Sequence, residues 1–329
     1  METKEKNFSE ITSTTRTLFF NNCSVVVSKD GIEIVERYNA DKVIPHKFRE
    51  LAPAFHMQGN RLVIDNIDSK VFRFLINGSR MNWRAELETG DDAADAEYFA
   101  QNRFTPYGSR LNMGQQYEQM VSLVNKIYAY GYLLHHFKRD DMAKCVWIAG
   151  KDESLYCLGK SLFMNILRSL QLANIVTLDG RDSDIIKNNY LLNRISSDTD
   201  ILFIDDAANN FRFADFYHKV TGQIIVNPKG SEPFEVSNLF GVISSNYLPH
   251  DMDRSTLRRI IPVVFSDYYH VNGFHDKRYI SSELGILFGQ NYSEDEYNAD
   301  YNFMINCLQF YLAHQDNAKY PIIDEFIKK

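Results

Sequence analysis

Cysteine is scarce and scattered. The four residues, Cys23, Cys145, Cys157 and Cys307, form no CxxC pair, and none stands at zinc spacing from a histidine. A structural zinc site and a disulfide framework are therefore not expected, and a reducing compartment fits. No apolar run approaches the roughly 20 residues that a membrane helix needs; the longest, 127–134, is short and flanked by Lys126 and His135. Residues 1–10 mix both charge signs without an apolar centre, so no secretory leader is expected, and a cytoplasmic location is. Basic excess is missing too. With 36 Lys and Arg against 43 Asp and Glu, the formal charge is −7. Contact with nucleic acid must then come from a local patch or from a surface assembled across subunits. Internal repeats and low-complexity tracts are also lacking.

What is present is ordinary for a folded protein. An apolar fraction of 44% and an aromatic fraction of 13% exclude disorder. The 329 residues are long enough for about two domains. The first third mixes short elements. Residues 24–27 and 32–35 flank Lys29-Asp30-Gly31 and read as a hairpin. Residues 71–76 and 81–87 read as helix, broken or bent near Gly78. Residues 88–97 read as an exposed loop or a helix start, and 102–114, with Pro106, Gly108 and Gly114, as a linker. From 115 to 137 apolar residues recur at helical spacing. Compact apolar runs follow at 145–149, 201–204, Ile224–Val226, 242–243 and Ile260–Phe265, separated by helical stretches. This pattern predicts an α/β fold with a mostly parallel sheet. After Asp267 the chain is Tyr-rich and mostly helical, notably over 302–314.

Gly159-Lys160-Ser161 lies between the first of these apolar runs and a helix whose stripe is Leu162, Phe163, Ile166, Leu167 and Leu170. Strand, loop and helix in that order are the context a phosphate loop requires. A helix N-terminus offers unpaired N–H groups and a positive dipole end. Lys160 suits the β- and γ-phosphates, and the Ser161 hydroxyl suits Mg²⁺. The usual GxxxxGK[ST] spacing would put a glycine at 154, where Ser154 stands; the nearest upstream glycine is Gly150.

The run 201–204 ends in Asp205-Asp206. Adjacent acids at a strand end raise each other's ionisation cost and call for a reason. In a nucleotide-hydrolysing enzyme the first acid holds Mg²⁺ and the second polarises the attacking water. The strand 240–246 ends in Asn246, an amide able to sense a γ-phosphate; an ordinary turn is the plainer alternative. Asp253-Arg254-Ser255-Thr256-Leu257-Arg258-Arg259 precedes the last apolar run, and arginine is the fixed, always-charged partner of phosphate. Residues 224–234 read as a hairpin with Lys229 at its tip, set by Pro228 and Gly230. A lysine there suits a nucleic-acid phosphate; an exposed turn lysine with no such role is the plainer alternative.

The order Gly-Lys-Ser, strand with Asp-Asp, Asn-Pro-Lys-Gly, Ser-Ser-Asn and Leu-Arg-Arg resembles superfamily 3 helicases of the AAA+ class, as found in phage and plasmid primase-helicases. Residues 124–134 and 265–270 are similar to the Bacteroidetes phage branch. The resemblance covers roughly 115–315. It implies a P-loop ATPase core at 115–270, a mixed α+β region of open role at 1–114, and a helical region at 271–329. It also implies a replicative, ATP-driven ring, a hexamer, moving on single-stranded DNA in a bacterial host cell, with ATP and Mg²⁺ as cofactors. Carried over, Gly159, Lys160 and Ser161 bind ATP, Ser161 and Asp205 hold the metal, and Asp206 and Asn246 act in hydrolysis. Arg258 or Arg259 completes a neighbour's site, and Lys229 contacts DNA. The departure is at 151–158, which lacks the usual glycines. No primase metal motif appears in 1–114, so a separate primase is a natural partner. The alternatives are another ring ATPase acting on DNA, for packaging or defence, and a nucleotide-binding assembly protein with weak hydrolysis.

Overall fold

The structure, a computed structural model, describes residues 11–37, 40, 42–139, 141–151, 159–181, 193–221, 224–226, 232–236, 239–249, 253–269, 278–285 and 287–323. Its centre is a five-stranded, wholly parallel sheet of β6 (Cys145–Gly150), β7 (Ile175–Asp179), β8 (Ile201–Ala207), β11 (Phe240–Ser245) and β12 (Ile260–Phe265), in the order β12-β6-β11-β8-β7. This is the α/β architecture that the alternating apolar runs predict. The inner strands are buried on both faces, which is why they read as unbroken apolar runs. Val146, Ile148, Ile201, Phe203, Val242, Ile261 and Val263 face one core, and Trp147, Leu202, Ile204, Ile243 and Ile260 face the other. The edge strand β7 has no such run, because most of its side chains are only half-buried; sequence patterning misses it.

The larger core holds the rest of the molecule against the sheet. Helix α4 (Met113–His135) is buried along most of its length and packs on α9 (Glu294–His314), on β12 and on the end of α1 (Lys70–Asn77). Its start is sharper than periodicity predicts. Asn112 and Gln115 form a reciprocal capping box, so Gly114 lies inside the helix. The stretch read as a linker is packed: Pro106 and Gly108 are buried, and the Tyr107 hydroxyl accepts the Leu62 amide at 2.9 Å. Helix α1 and α2 (Trp83–Leu87) are separate, divided beyond Gly78, and α3 (Asp92–Asn102) occupies the stretch read as loop or helix start. The expected hairpin is β2 (Ser24–Ser28) with β3 (Gly31–Val35); β1 (Thr15–Phe19) extends it, and β4 (Phe55–Gln58) pairs with β5 (Arg61–Ile64).

One buried charge joins three of these parts. Lys126 on α4 is fully buried, and its ammonium donates to Ser79 Oγ (2.8 Å), Ser122 Oγ (2.6 Å) and Val264 O (2.6 Å). Three donors meet three acceptors, which is the condition for keeping an ammonium out of water. The smaller core is closed by α6 (Phe213–Thr221) and by the antiparallel pair β9 (Ile224–Val226) and β10 (Phe234–Val236). Lys229 and the rest of the turn, 227–231, lie outside the described residues. So do residues 152–158 of the loop before Gly159. Two further helices, α7 (Arg254–Leu257) and α8 (Ile280–Leu284), are short. Among the described residues, no helix is long and apolar enough to cross a membrane.

Candidate active site

In a parallel sheet, loops and helix N-termini gather at the carboxyl ends of the strands, and ligands bind there. Helix α5 (Lys160–Ser169) begins at such an end. Its cap residue is Gly159, which has no side chain with which to cap the helix, and a helix N-terminus turns its first-turn amides and positive dipole end outward. Gly159 has φ +138°, a conformation that side-chain-bearing residues rarely adopt. A Cβ there would lie 3.0 Å from Phe265 Cδ1 and 3.3 Å from Phe74 Cζ. Beneath the helix, Phe163 stacks on Tyr130 of α4 with ring centroids 4.0 Å apart, and the Tyr130 hydroxyl donates to Phe163 O at 2.9 Å. The start of α5 is thus fixed by packing from below.

The first two residues of α5 reach two different strands. Lys160 is buried; its ammonium donates to Ser245 O (3.4 Å), the last residue of β11, and to Asn246 Oδ1 just beyond it. Ser161 Oγ donates to both Asp205 oxygens, at 2.9 and 3.0 Å, at the end of β8. Ser244 Oγ donates to Asp205 Oδ1 at 2.6 Å and accepts the Asp206 amide at 2.9 Å. Because β11 lies between β6 and β8, Asn246 stands between the lysine and the acids. Lys160, Ser161, Asp205, Asp206 and Asn246 line one cavity of about 580 Å³. A cavity of that size falls within the range of small-molecule sites. Five residues from three separate motifs therefore converge.

The far wall of this cavity comes from the strand that patterning misses. Thr177, Asp179, Arg181 and Arg194 line it. Arg181 Nε donates to Asp179 at 2.9 Å and holds that carboxyl down to about 2. Arg194 Nη1 donates to Thr177 O at 3.0 Å. A lone arginine carries no sequence signal; identifying β7 would have placed Arg181, which follows its end.

Arg258 and Arg259 are elsewhere. They precede β12, whose first residue Ile260 pairs with Cys145, the first residue of β6. They therefore sit at the amino ends of the strands, one strand length from Lys160, or roughly 20 Å at about 3.3 Å per residue. Arg259 packs over the Tyr217 ring at 4.6 Å, and the Arg258 carbonyl accepts Lys144 Nζ at 2.6 Å, while the Arg258 side chain is exposed. Neither can serve the cavity of its own chain.

The site's chemistry suits a divalent cation with bound phosphate. Mg²⁺ takes oxygen donors and is usually held by one or two protein groups together with substrate phosphates and water. The Ser161 hydroxyl and Asp205 carboxylate supply such a pair. A buried lysine and a helix N-terminus beside them suit the phosphates.

No protein-family model matches the chain, and no curated protein matches it in sequence. Two solved structures, each described as the A-form apo structure of the NrS-1 C-terminal region, are similar to it at 10% and 9% identity. They have a TM-score of 0.35 in both cases, over 93% and 95% of this chain and 72% and 74% of theirs. At that TM-score the likeness carries no argument about fold or function.

Proposed function

We propose that the chain is a P-loop ATPase of the AAA+ kind that works on DNA, as an ATP-driven helicase assembled into a ring. The observation that carries the reading is the convergence of Lys160, Ser161, Asp205, Asp206 and Asn246 on one cavity at the carboxyl ends of a parallel sheet. Lys160 would balance the β- and γ-phosphate charge, and the first-turn amides of α5 would receive the phosphate oxygens. Ser161 and Asp205 would hold Mg²⁺, which when bound neutralises charge developing on the phosphates. Asp206 would take the proton of the attacking water, and Asn246, already beside Lys160, would fix that water against the γ-phosphate.

The position of the arginines supports a ring. Arg258, exposed at the opposite end of the sheet, suits the ATP of a neighbouring copy. Lys229 remains the proposed DNA contact, one per subunit around a pore. The test is ATP turnover with and without single-stranded DNA. Turnover stimulated by single-stranded DNA supports the helicase. Turnover indifferent to it points instead to another ring ATPase, and no turnover at all removes the motor.

A further inference from the structure

In a regular strand, neighbouring side chains face opposite sides of the sheet. Along β8, Ile201 and Phe203 face the larger core, and Leu202 and Ile204 the smaller. Continued, that alternation would put Asp205 on the α5 side and Asp206 on the other side, in the smaller core. It is not continued. Ile243 of β11 pairs with Ile204, but Ser245 pairs with Ala207, so β8 carries one extra residue over that interval. Ala207, not Asp206, takes the next place in the smaller core. Asp206 has φ +58°, the left-handed conformation that occurs at the extra residue of one type of β-bulge. The consequence is that both carboxylates line one cavity.

Both neighbouring strands hold the bulge. On the β11 side, Ser244 Oγ takes the displaced Asp206 amide and directs its own proton to Asp205 Oδ1. Ser245 Oγ donates to Ala207 O at 2.8 Å. On the β7 side, the Gly180 amide donates to Asp205 O at 2.6 Å, and its carbonyl accepts the Ala208 amide at 3.0 Å. A Cβ on Gly180 would stand 2.6 Å from Ala207 Cα, a backbone atom that cannot yield. The Ser244 hydroxyl therefore satisfies the bulged amide and, together with that of Ser161, orients the first acid.

We propose that Ser244 is a positioning residue of the hydrolytic site, closing the bulge that brings Asp206 beside Asp205 and orienting the Asp205 carboxylate that would hold the metal ion. This rests on the metal role of Asp205 given above. Two measurements test it. In Ser244→Ala, the Mg²⁺ concentration for half-maximal ATP turnover rises about tenfold and kcat falls, as loss of a hydrogen bond to a charged group entails. ATP affinity measured in EDTA stays unchanged, and Ser244→Thr recovers the wild-type Mg²⁺ midpoint. Independently of hydrolysis, Asp206→Gly melts at a higher temperature than Asp206→Ala, because glycine relaxes a left-handed position whereas in a regular strand it would be the weaker residue. If the wild type turns over and Ser244→Ala keeps its Mg²⁺ midpoint, this inference falls and the ATPase reading stands. If Asp206→Ala melts above Asp206→Gly, the bulge is not the device described. If the wild type neither binds nor hydrolyses ATP, the nucleotide reading falls and takes the metal role of Asp205, and Ser244's part in it, with it.

Discussion

Gly159→Ala perturbs the junction on which the site depends. Two costs add. The φ of +138° is an unusual conformation for alanine, a strain of about 1–3 kcal/mol. The new Cβ would also meet the Phe265 ring at 3.0 and 3.2 Å. That ring is held among the Phe74 and Phe163 rings, with centroids 5.7 and 6.0 Å away, and Lys126 Nζ, 4.6 Å from its centroid, so it has little room to retreat. Overpacking of this kind costs about 1–3 kcal/mol. We expect a lower urea midpoint in Gly159→Ala, and binding of a fluorescent ATP analogue weakened at least about tenfold, as the start of α5 shifts. Adding Phe265→Leu should recover the overpacking part and leave the backbone part. The double mutant would then show coupling of about 1 kcal/mol or more. A wild-type midpoint together with wild-type affinity in Gly159→Ala would refute both the packing and the placement of phosphate at this helix start.

Lys126→Met should be close to neutral in stability, since Ser79 and Ser122 keep carbonyl acceptors of their own and a buried charge is removed. Lys126→Ala should cost about 2–4 kcal/mol for the cavity it leaves; equal losses in the two, measured by urea unfolding, would contradict this. Asp300 is buried, and burial raises its carboxyl to about 6. The folded state then holds a proton that the unfolded state releases near 4, so stability falls as pH rises from about 4 to 6, and the penalty persists above. Asp300→Asn, still able to accept from Ser69 Oγ and Val71 N, should be more stable than wild type at pH 8 by up to about 3 kcal/mol. The two should converge at pH 4, and a constant difference across that range would refute the assignment. Arg259→Ala should lose stability with its Tyr217 contact, about 0.5–1 kcal/mol, whereas Arg258→Ala should melt like wild type yet fail to hydrolyse ATP. Mixing Arg258→Ala with Lys160→Ala should restore partial turnover, and no recovery would rule out a site shared between copies.

The sheet was legible where burial on two faces leaves an unbroken apolar run, as in β6, β8 and β12. It was not legible at β7, whose half-buried Ile175, Val176 and Thr177 produce neither an unbroken run nor clean alternation. With β7 went Thr177, Leu178, Asp179 and Arg181, one part of the cavity wall. The residues that motifs marked, Lys160, Ser161, Asp205, Asp206 and Asn246, do meet, because strand order is decided by packing and each motif needs only its own strand end. The bulge was present only as a spacing anomaly, Ile204 and Ala207 facing one core three residues apart. No local rule distinguishes that from a strand that simply ends at Asp205. The region 102–114 misled because Pro106 and Gly108 usually mark exposed chain; here Gly108 is a glycine because the Glu86 carboxylate and the Tyr98 hydroxyl occupy the space where its Cβ would be.

The most direct test of the site is paired measurement of Mg²⁺-ATP binding and turnover in Lys160→Ala and Asp206→Asn. We expect Lys160→Ala to abolish turnover. Asp206→Asn, whose amide side chain tolerates the left-handed backbone, should bind ATP almost as wild type and hydrolyse it about 10²-fold more slowly or worse, as loss of a general base entails. Wild-type turnover in Lys160→Ala, or an Asp206→Asn protein that binds no nucleotide while Asp205→Asn still turns over, would contradict the account.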